Sequence, residues 1–309
     1  MFSSLSVIGL GKLGGAELNY GSDLDVIFVA DSKVKNLPRR QRYAVAILDL
    51  LSSATELGVA FAIDTRLRPD GEKGLLVNTL EAYEDYYRRR AMLWEIQCLT
   101  RARPIAGDMK TAEQFQKLAA TLTAFTPTNV AAHFGLPVTA MAPAPRRTPR
   151  APKVAVTGLA AFRAGWKSEI AKMRARIEKE RTPAGKSHLA IKTGAGGLVD
   201  AEFIAQTLCL AHGWQEPSTL RALQRARERN ALAAVDADLL IGNYRELLRI
   251  ECILRRWSFA GEGVLPEDPA ALYRVAVRCG FADAGSFMKA VGEHRAAIRA
   301  VYHKVMNAA

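Results

Sequence analysis

The chain has 309 residues, of which 49% are hydrophobic and 24% charged, with a net charge of +12. Such a length and apolar content predict a two-domain globular protein with buried cores. No apolar run approaches the roughly 18–20 residues of a bilayer span, and the first residues lack a signal-peptide pattern, so a cytoplasmic protein is expected. Cys98, Cys209, Cys252 and Cys279 form no CxxC pair and the five histidines share no helical metal spacing, which excludes zinc and disulfide frameworks.

In chain order, Ser4 to Leu10 reads as a strand, followed by the glycine turn Gly9-Leu10-Gly11-Lys12-Leu13-Gly14-Gly15 and a short helical stretch to Leu18. A second strand covers Asp23 to Ala30, and a helix follows Pro38 as far as Gly58. Val59 to Arg66 is β-rich, with Ala60, Ala62 and Asp64 on one face; a turn at Pro69-Asp70-Gly71 leads to a short apolar run at Leu75 to Val77. A long helix then starts at Thr79, a suitable N-cap, and passes through Trp94.

From Gln114 to Ser168 there is no acidic residue, while seven lysines and arginines fall in the same span. This stretch is rich in Ala, Pro and Thr, without the interleaved aromatics of a nucleic-acid face, and reads as a basic linker or mobile loop, with docking of an acidic partner as the alternative. Beyond it the periodicity is helical: Phe162, Trp166, Ile170, Met173 and Ile177, then helices around 199–212, 217–230, 235–258, 268–279 and 283–307. The expected organisation is an α+β fold: a small mixed-sheet domain over 1–125, a linker over 126–157 and an all-helical domain over 158–309.

The chemistry concentrates in Ser22-Asp23-Leu24-Asp25, which enters the apolar run of the second strand. Strand alternation puts Asp23 and Asp25 on one face, on the order of 7 Å apart. Like charges so close repel unless a cation lies between them, and oxygen ligands select a hard divalent ion of the kind used in phosphate chemistry. The glycine pattern alone would read as a dinucleotide fold, but no βαβ unit of about 30 residues fits between Gly9 and Ser22. Glycines there would let backbone N–H groups approach a phosphate. Asp64 supplies a third carboxylate on a later strand, the alternative being an ion pair with Arg66 or Arg68.

These motifs, with Asp64-Thr65-Arg66-Leu67-Arg68-Pro69, Gly74 to Val77, Trp94-Glu95, Thr100 to Pro104, Lys192, Gly194, Gly196-Gly197, Asp200, Glu202-Phe203 and Tyr244 to Glu251, resemble in order the glutamine synthetase adenylyltransferase family. That family is a branch of the polymerase β nucleotidyltransferase superfamily. The resemblance implies Asp23, Asp25 and Asp64 as catalytic, Mg²⁺-binding carboxylates, with ATP as substrate. It implies Gly11, Lys12, Gly14, Gly15, Ser22, Arg66 and Arg68 around the nucleotide phosphates. Arg101 and Arg103 either join them or pair with acidic neighbours; Lys192, Asp200 and Glu202 either close over the site or, for Asp200, cap a helix.

The implied partner is glutamine synthetase, with the PII nitrogen signal protein as a possible second. Family members carry two catalytic halves, one attaching AMP to the synthetase and one removing it by phosphorolysis. This chain holds one half and starts close to its first strand, so a fragment or shortened product is expected. Thr100 to Asp108 resembles the attaching half. The rival readings are the reverse reaction, a nucleotidyltransferase acting on RNA, and a non-catalytic half that docks the synthetase.

Overall fold

The computed structural model of the chain describes residues 4–56, 58–126, 128, 159, 161–162, 165–258 and 263–307, and the expected linker lies almost wholly outside them. The described residues divide into two compact units, one drawn from Met1–Leu18, Ser22–Trp166 and Cys209–Ser218, the other from Asn19–Gly21, Lys167–Leu208 and Thr219–Ala309. The first is a mixed α/β unit and the second is helical, as the fold class expected.

The α/β unit is built on strands β1 (Leu5–Gly9), β2 (Leu24–Ala30), β5 (Ile63–Asp64), β6 (Val77–Thr79) and β7 (Arg103–Gly107). β1 lies between β7 and β2, antiparallel to both, while β5 and β6 run parallel to β2 along its other side, one at each end. Val26 to Ala30 are all buried, because helices cover both faces of β2. On one side α2 (Leu37–Ser52) helps enclose a cluster of Leu5, Leu24, Val26, Phe28, Ala30, Ala44 and Val77. On the other, α5 (Met109–Leu122) packs on β1 and β7, and Tyr83 of α3 (Leu80–Arg89) sets its ring edge-on to Phe115 at 5.5 Å. Each large apolar side chain buried in this way contributes about 1.5–3 kcal/mol.

Two expected elements are divided. The run from Val59 to Arg66 splits into β4 (Gly58–Val59), paired with β3 (Ala54–Thr55), and β5, because its two ends pair with different strands. The helix expected from Thr79 through Trp94 stops at Arg89, where the amides of Arg90 and Ala91 both donate to the Tyr86 carbonyl. A new helix, α4 (Leu93–Cys98), starts behind Met92, whose N–H is taken by Glu95 at 2.8 Å. A glutamate at the third helical position reaching back in this way marks a true N-terminus.

The unit boundaries also depart from a contiguous split. Helix α7 (Leu198–His212) ends among residues that belong to the α/β unit: the Phe125 N–H donates to the Leu210 carbonyl at 2.9 Å and Gln215 donates to Thr123 at 3.0 Å.

The helical unit contains α6 (Trp166–Arg181), α8 (Thr219–Glu228), α9 (Ala234–Ser258), α10 (Pro269–Arg278) and α11 (Ala284–Asn307), and most of α7. Buried Tyr244, Leu247, Ile250 and Leu254 mark the inward face of α9, and Ile298, Val301 and Tyr302 that of α11, which packs against it. Asp268 caps α10 by accepting the Ala271 N–H at 2.8 Å, as Asp and Ser do at helix starts. Among the described residues no helix is long and apolar enough to cross a membrane.

Candidate active site

Strand β2 and the turn before it carry the acidic pair. Asp23 is exposed just ahead of the strand, and Asp25 is half-buried on its second residue. Parallel pairing places Asp64 of β5 directly beside Asp25, so two of the three expected carboxylates are cross-strand partners. The short helix α1 (Gly11–Gly14) lies on the opposite side of Asp25: the Leu10 N–H donates to the Asp25 carbonyl at 2.9 Å. Gly11 has φ +50°, and a Cβ there would fall 2.0 Å from Asp25 Oδ2. Both facts demand glycine at that position.

The three carboxylates do not stand as a finished metal cage. Among the described residues no group of three or more metal-ligating side chains is assembled. Asp64 is instead clasped by Arg66, whose Nε lies 3.0 Å from both carboxylate oxygens and whose second nitrogen reaches Oδ2 at 2.5 Å. The donor chemistry of Asp25 and Asp64 still suits a hard divalent ion: all oxygen, from neighbouring strands, with Asp23 at the entrance.

The Arg66 hydrogen bonds hold the Asp64 carboxyl below its usual range, against a smaller opposing effect of burial. A group so lowered stabilises the fold above its unfolded pKa and loses that contribution as pH falls through the folded value. The contribution is small, because 64% of the Arg66 side chain is exposed. In Arg66→Gln, the Asp64 carboxyl is expected to titrate at higher pH than in the parent chain, measured by carboxyl-carbon NMR. An unchanged titration would remove Arg66 as the cause.

The other expected phosphate ligands fare differently. Lys12 is half-exposed on α1, and Ser22 half-buried beside Asp23. Gly14 and Gly15 are buried, and their N–H groups are already spent on the carbonyls of Leu10 (2.7 Å) and Gly11 (3.2 Å). Their small size serves packing instead: a Cβ on Gly14 would meet the Arg101 carbonyl at 1.9 Å, and one on Gly15 the Arg101 guanidinium at 2.2 Å. Arg68 is also committed elsewhere, donating to the Thr65 carbonyl and hydroxyl at 2.7 Å each within its own loop. Its donors brace that loop.

Of the two readings of Arg101 and Arg103, pairing with an acidic neighbour holds for Arg101, while Arg103 binds backbone carbonyls. Arg101 pairs with Glu17 at 2.5 Å and donates to the Gly11 carbonyl at 2.7 Å. Arg103 donates to the carbonyls of Gly14 and Leu13, 2.7 Å each. Sequence reasoning did not reveal this arrangement, since 84 to 90 residues separate the partners. Cys98 nearby is no thiolate nucleophile: burial, with the Asp25 charge second, pushes its thiol up to about 12.

Lys192, Asp200 and Glu202 belong to the helical unit. Glu202 and Lys192 are half-exposed, but Asp200 is fully buried in the first turn of α7. It pairs with buried Arg174, accepts from Arg299 at 3.0 Å and takes the Gly196 N–H at 2.8 Å. Arg174 also donates to the carbonyls of Thr193 (3.0 Å) and Gly194 (2.9 Å). In this arrangement the Asp200 carboxylate is taken up by bonds that join α6, α7 and α11.

Residues 2–118 match the family model for glutamate-ammonia ligase adenylyltransferase, and residues 166–306 that for GlnD PII-uridylyltransferase. Three similar proteins carry the name bifunctional glutamine synthetase adenylyltransferase/adenylyl-removing enzyme. That of Streptomyces avermitilis is 33% identical over 88% of this chain and 25% of its own length; that of Thioalkalivibrio sulfidiphilus is 33% identical over 78% and 23%. That of Streptomyces coelicolor is 30% identical over 97% of this chain and 28% of its own. The chain thus spans about a quarter of the length of these relatives, and it belongs to the glutamate-ammonia ligase adenylyltransferase family.

Proposed function

We propose that the chain transfers AMP from ATP to a tyrosine of glutamine synthetase and so regulates nitrogen assimilation. The observation that carries this reading is the side-by-side placement of Asp25 and Asp64 on paired strands, with Asp23 at their entrance, inside the region that matches the family. Asp23, Asp25 and Asp64 would hold Mg²⁺, which when bound supplies charge neutralisation at the reacting phosphate and acidifies the attacking hydroxyl.

Asp64, beside Asp25 on the paired strand, would polarise the attacking hydroxyl through the metal. To serve as a ligand it exchanges its Arg66 partner, which frees an exposed guanidinium for the polyphosphate. Arg66 and Lys12 then balance charge on the departing pyrophosphate, where a planar guanidinium binds two oxygens at once. The tyrosine oxygen forms the new bond to the α-phosphorus as the bond to the bridging oxygen breaks, and the phenolic proton leaves to solvent.

The direction of transfer rests on the resemblance of Thr100 to Asp108 to the attaching half. The relatives' printed names include both attachment and removal of AMP, so the reverse phosphorolysis is the second reading. The chain is expected to label unmodified glutamine synthetase with radioactive AMP from ATP and Mg²⁺, releasing pyrophosphate. Release of ADP from the adenylylated synthetase and inorganic phosphate, without the forward reaction, would reverse the assignment.

A further inference from the structure

We propose that Arg101 and Arg103 are positioning residues that set the pose of the turn carrying Gly11 and Lys12, and through it the side chain of Asp25. This rests on the nucleotidyl-transfer reading above. Helix α1 is a single turn of four residues, too short to be stable alone, and the backbone bonds that follow it are few: Gly15 to the Gly11 carbonyl and Ala16 to that of Leu13 at 3.2 Å each, and Glu17 to that of Lys12 at 2.8 Å.

The two guanidiniums add shorter bonds to this turn. Arg101 takes Gly11, and Arg103 takes Leu13 and Gly14, so three consecutive-turn carbonyls are bound from outside the helix at 2.7 Å each. Positive charge at a helix C-terminus is also the favourable sign. Arg101 is itself fixed by Glu17, which accepts from Ser218 at 3.1 Å, and its side chain is only 6% exposed. Gly14 and Gly15 are glycines because Arg101 fills the space where their Cβ atoms would be.

The turn bears directly on the carboxylate. Gly11 lies so close to Asp25 Oδ2 that even a methyl group could not be inserted, and Leu10 is bonded to the Asp25 backbone. A turn that loosens therefore moves or frees Asp25. Both guanidiniums bond to this turn, that of Arg101 also to Glu17, and a lysine keeps the charge but cannot reproduce the fork.

The test compares Arg103→Lys and Arg103→Gln in the 309-residue chain, with Arg101→Lys as a second position. Displacement of a catalytic group by about 1 Å costs on the order of 100-fold in rate. The expected result is a kcat reduced by about that factor in both Arg103 variants, with KM for ATP changed by less than about threefold. Faster amide exchange at residues 11–15 is expected in both, with β2 still protected.

Full activity in Arg103→Lys with loss confined to Arg103→Gln, and a raised KM for ATP, would overturn the proposal in favour of a phosphate contact. Unchanged amide exchange at residues 11–15 would overturn it as well. A parent chain that transfers no AMP in either direction refutes the functional reading instead, and the exchange measurement still decides the positioning.

Discussion

Asp23→Asn/Asp25→Asn is expected to abolish AMP transfer, by at least about three orders of magnitude, while the thermal unfolding midpoint stays at or above that of the parent chain. The physical reason lies in the removal of two negative charges from a site where they stand next to a third. Asp25 is the cross-strand partner of Asp64, and Asp23 precedes it by two residues. Arg66 pairs with Asp64 alone of the three among the ion pairs described, so neutralising Asp23 and Asp25 lowers the local negative charge even as it removes the oxygens that would bind the metal. Opposite signs of the two effects make the experiment diagnostic: binding of Mg²⁺, followed by calorimetry, is lost while stability is kept. Retention of full transfer in the double variant would refute the active site, and a collapse in stability would mean that the pair is structural.

Asp200→Ala is expected to destabilise the helical unit by about 3 kcal/mol, because it leaves buried Arg174 with the longer Glu178 contact at 3.5 Å in place of its close carboxylate. Both side chains are fully buried, and the same aspartate receives Arg299 and the Gly196 amide. Removing it strands the Gly196 amide and leaves Arg174 and Arg299 to share Glu178, at 3.5 and 3.3 Å. Asp200→Asn keeps an oxygen for the Gly196 N–H but not the charge, so its loss should be smaller than that of Asp200→Ala. Chemical denaturation of both variants, read by tryptophan fluorescence and circular dichroism, ranks them. A catalytic role for Asp200 predicts the opposite pattern, with transfer lost and unfolding unchanged.

Several of the arginines in the family motifs share this behaviour. Arg68, Arg101 and Arg103 each donate to backbone carbonyls, as Arg174 does outside those motifs, whereas Arg66 donates from its guanidinium and its own backbone N–H to the Asp64 carboxylate and stays exposed. A positive residue near an acidic motif is thus as readily a brace for a loop as a ligand for phosphate. The distinction depends on whether carbonyls with a lone pair to spare lie within reach, as those of Gly11, Leu13 and Gly14 do in α1.

Hydrophobic periodicity revealed the helices of the second unit closely: those expected around 235–258 and 283–307 are Ala234–Ser258 and Ala284–Asn307. Period-3.6 patterning is a local property, and long amphipathic helices express it strongly. The β2 strand was legible from its apolar run, and the acidic pair from its position at the mouth of that run. The motif order pointed to the family before any geometry was known.

Residue order alone thus determined the fold class and the family and marked the acidic pair at Asp23 and Asp25, because periodicity and motifs are local patterns and their order along the chain is read without geometry. Only the tertiary structure decided that Asp25 stands beside Asp64, that Arg66 occupies Asp64, and that Gly14, Gly15, Arg68 and Asp200 are committed to packing and backbone bonds. Those outcomes are fixed by partners from 2 to 99 residues away competing for the same donors and acceptors. Which of them wins depends on distance and burial, and neither is written in the spacing of the residues.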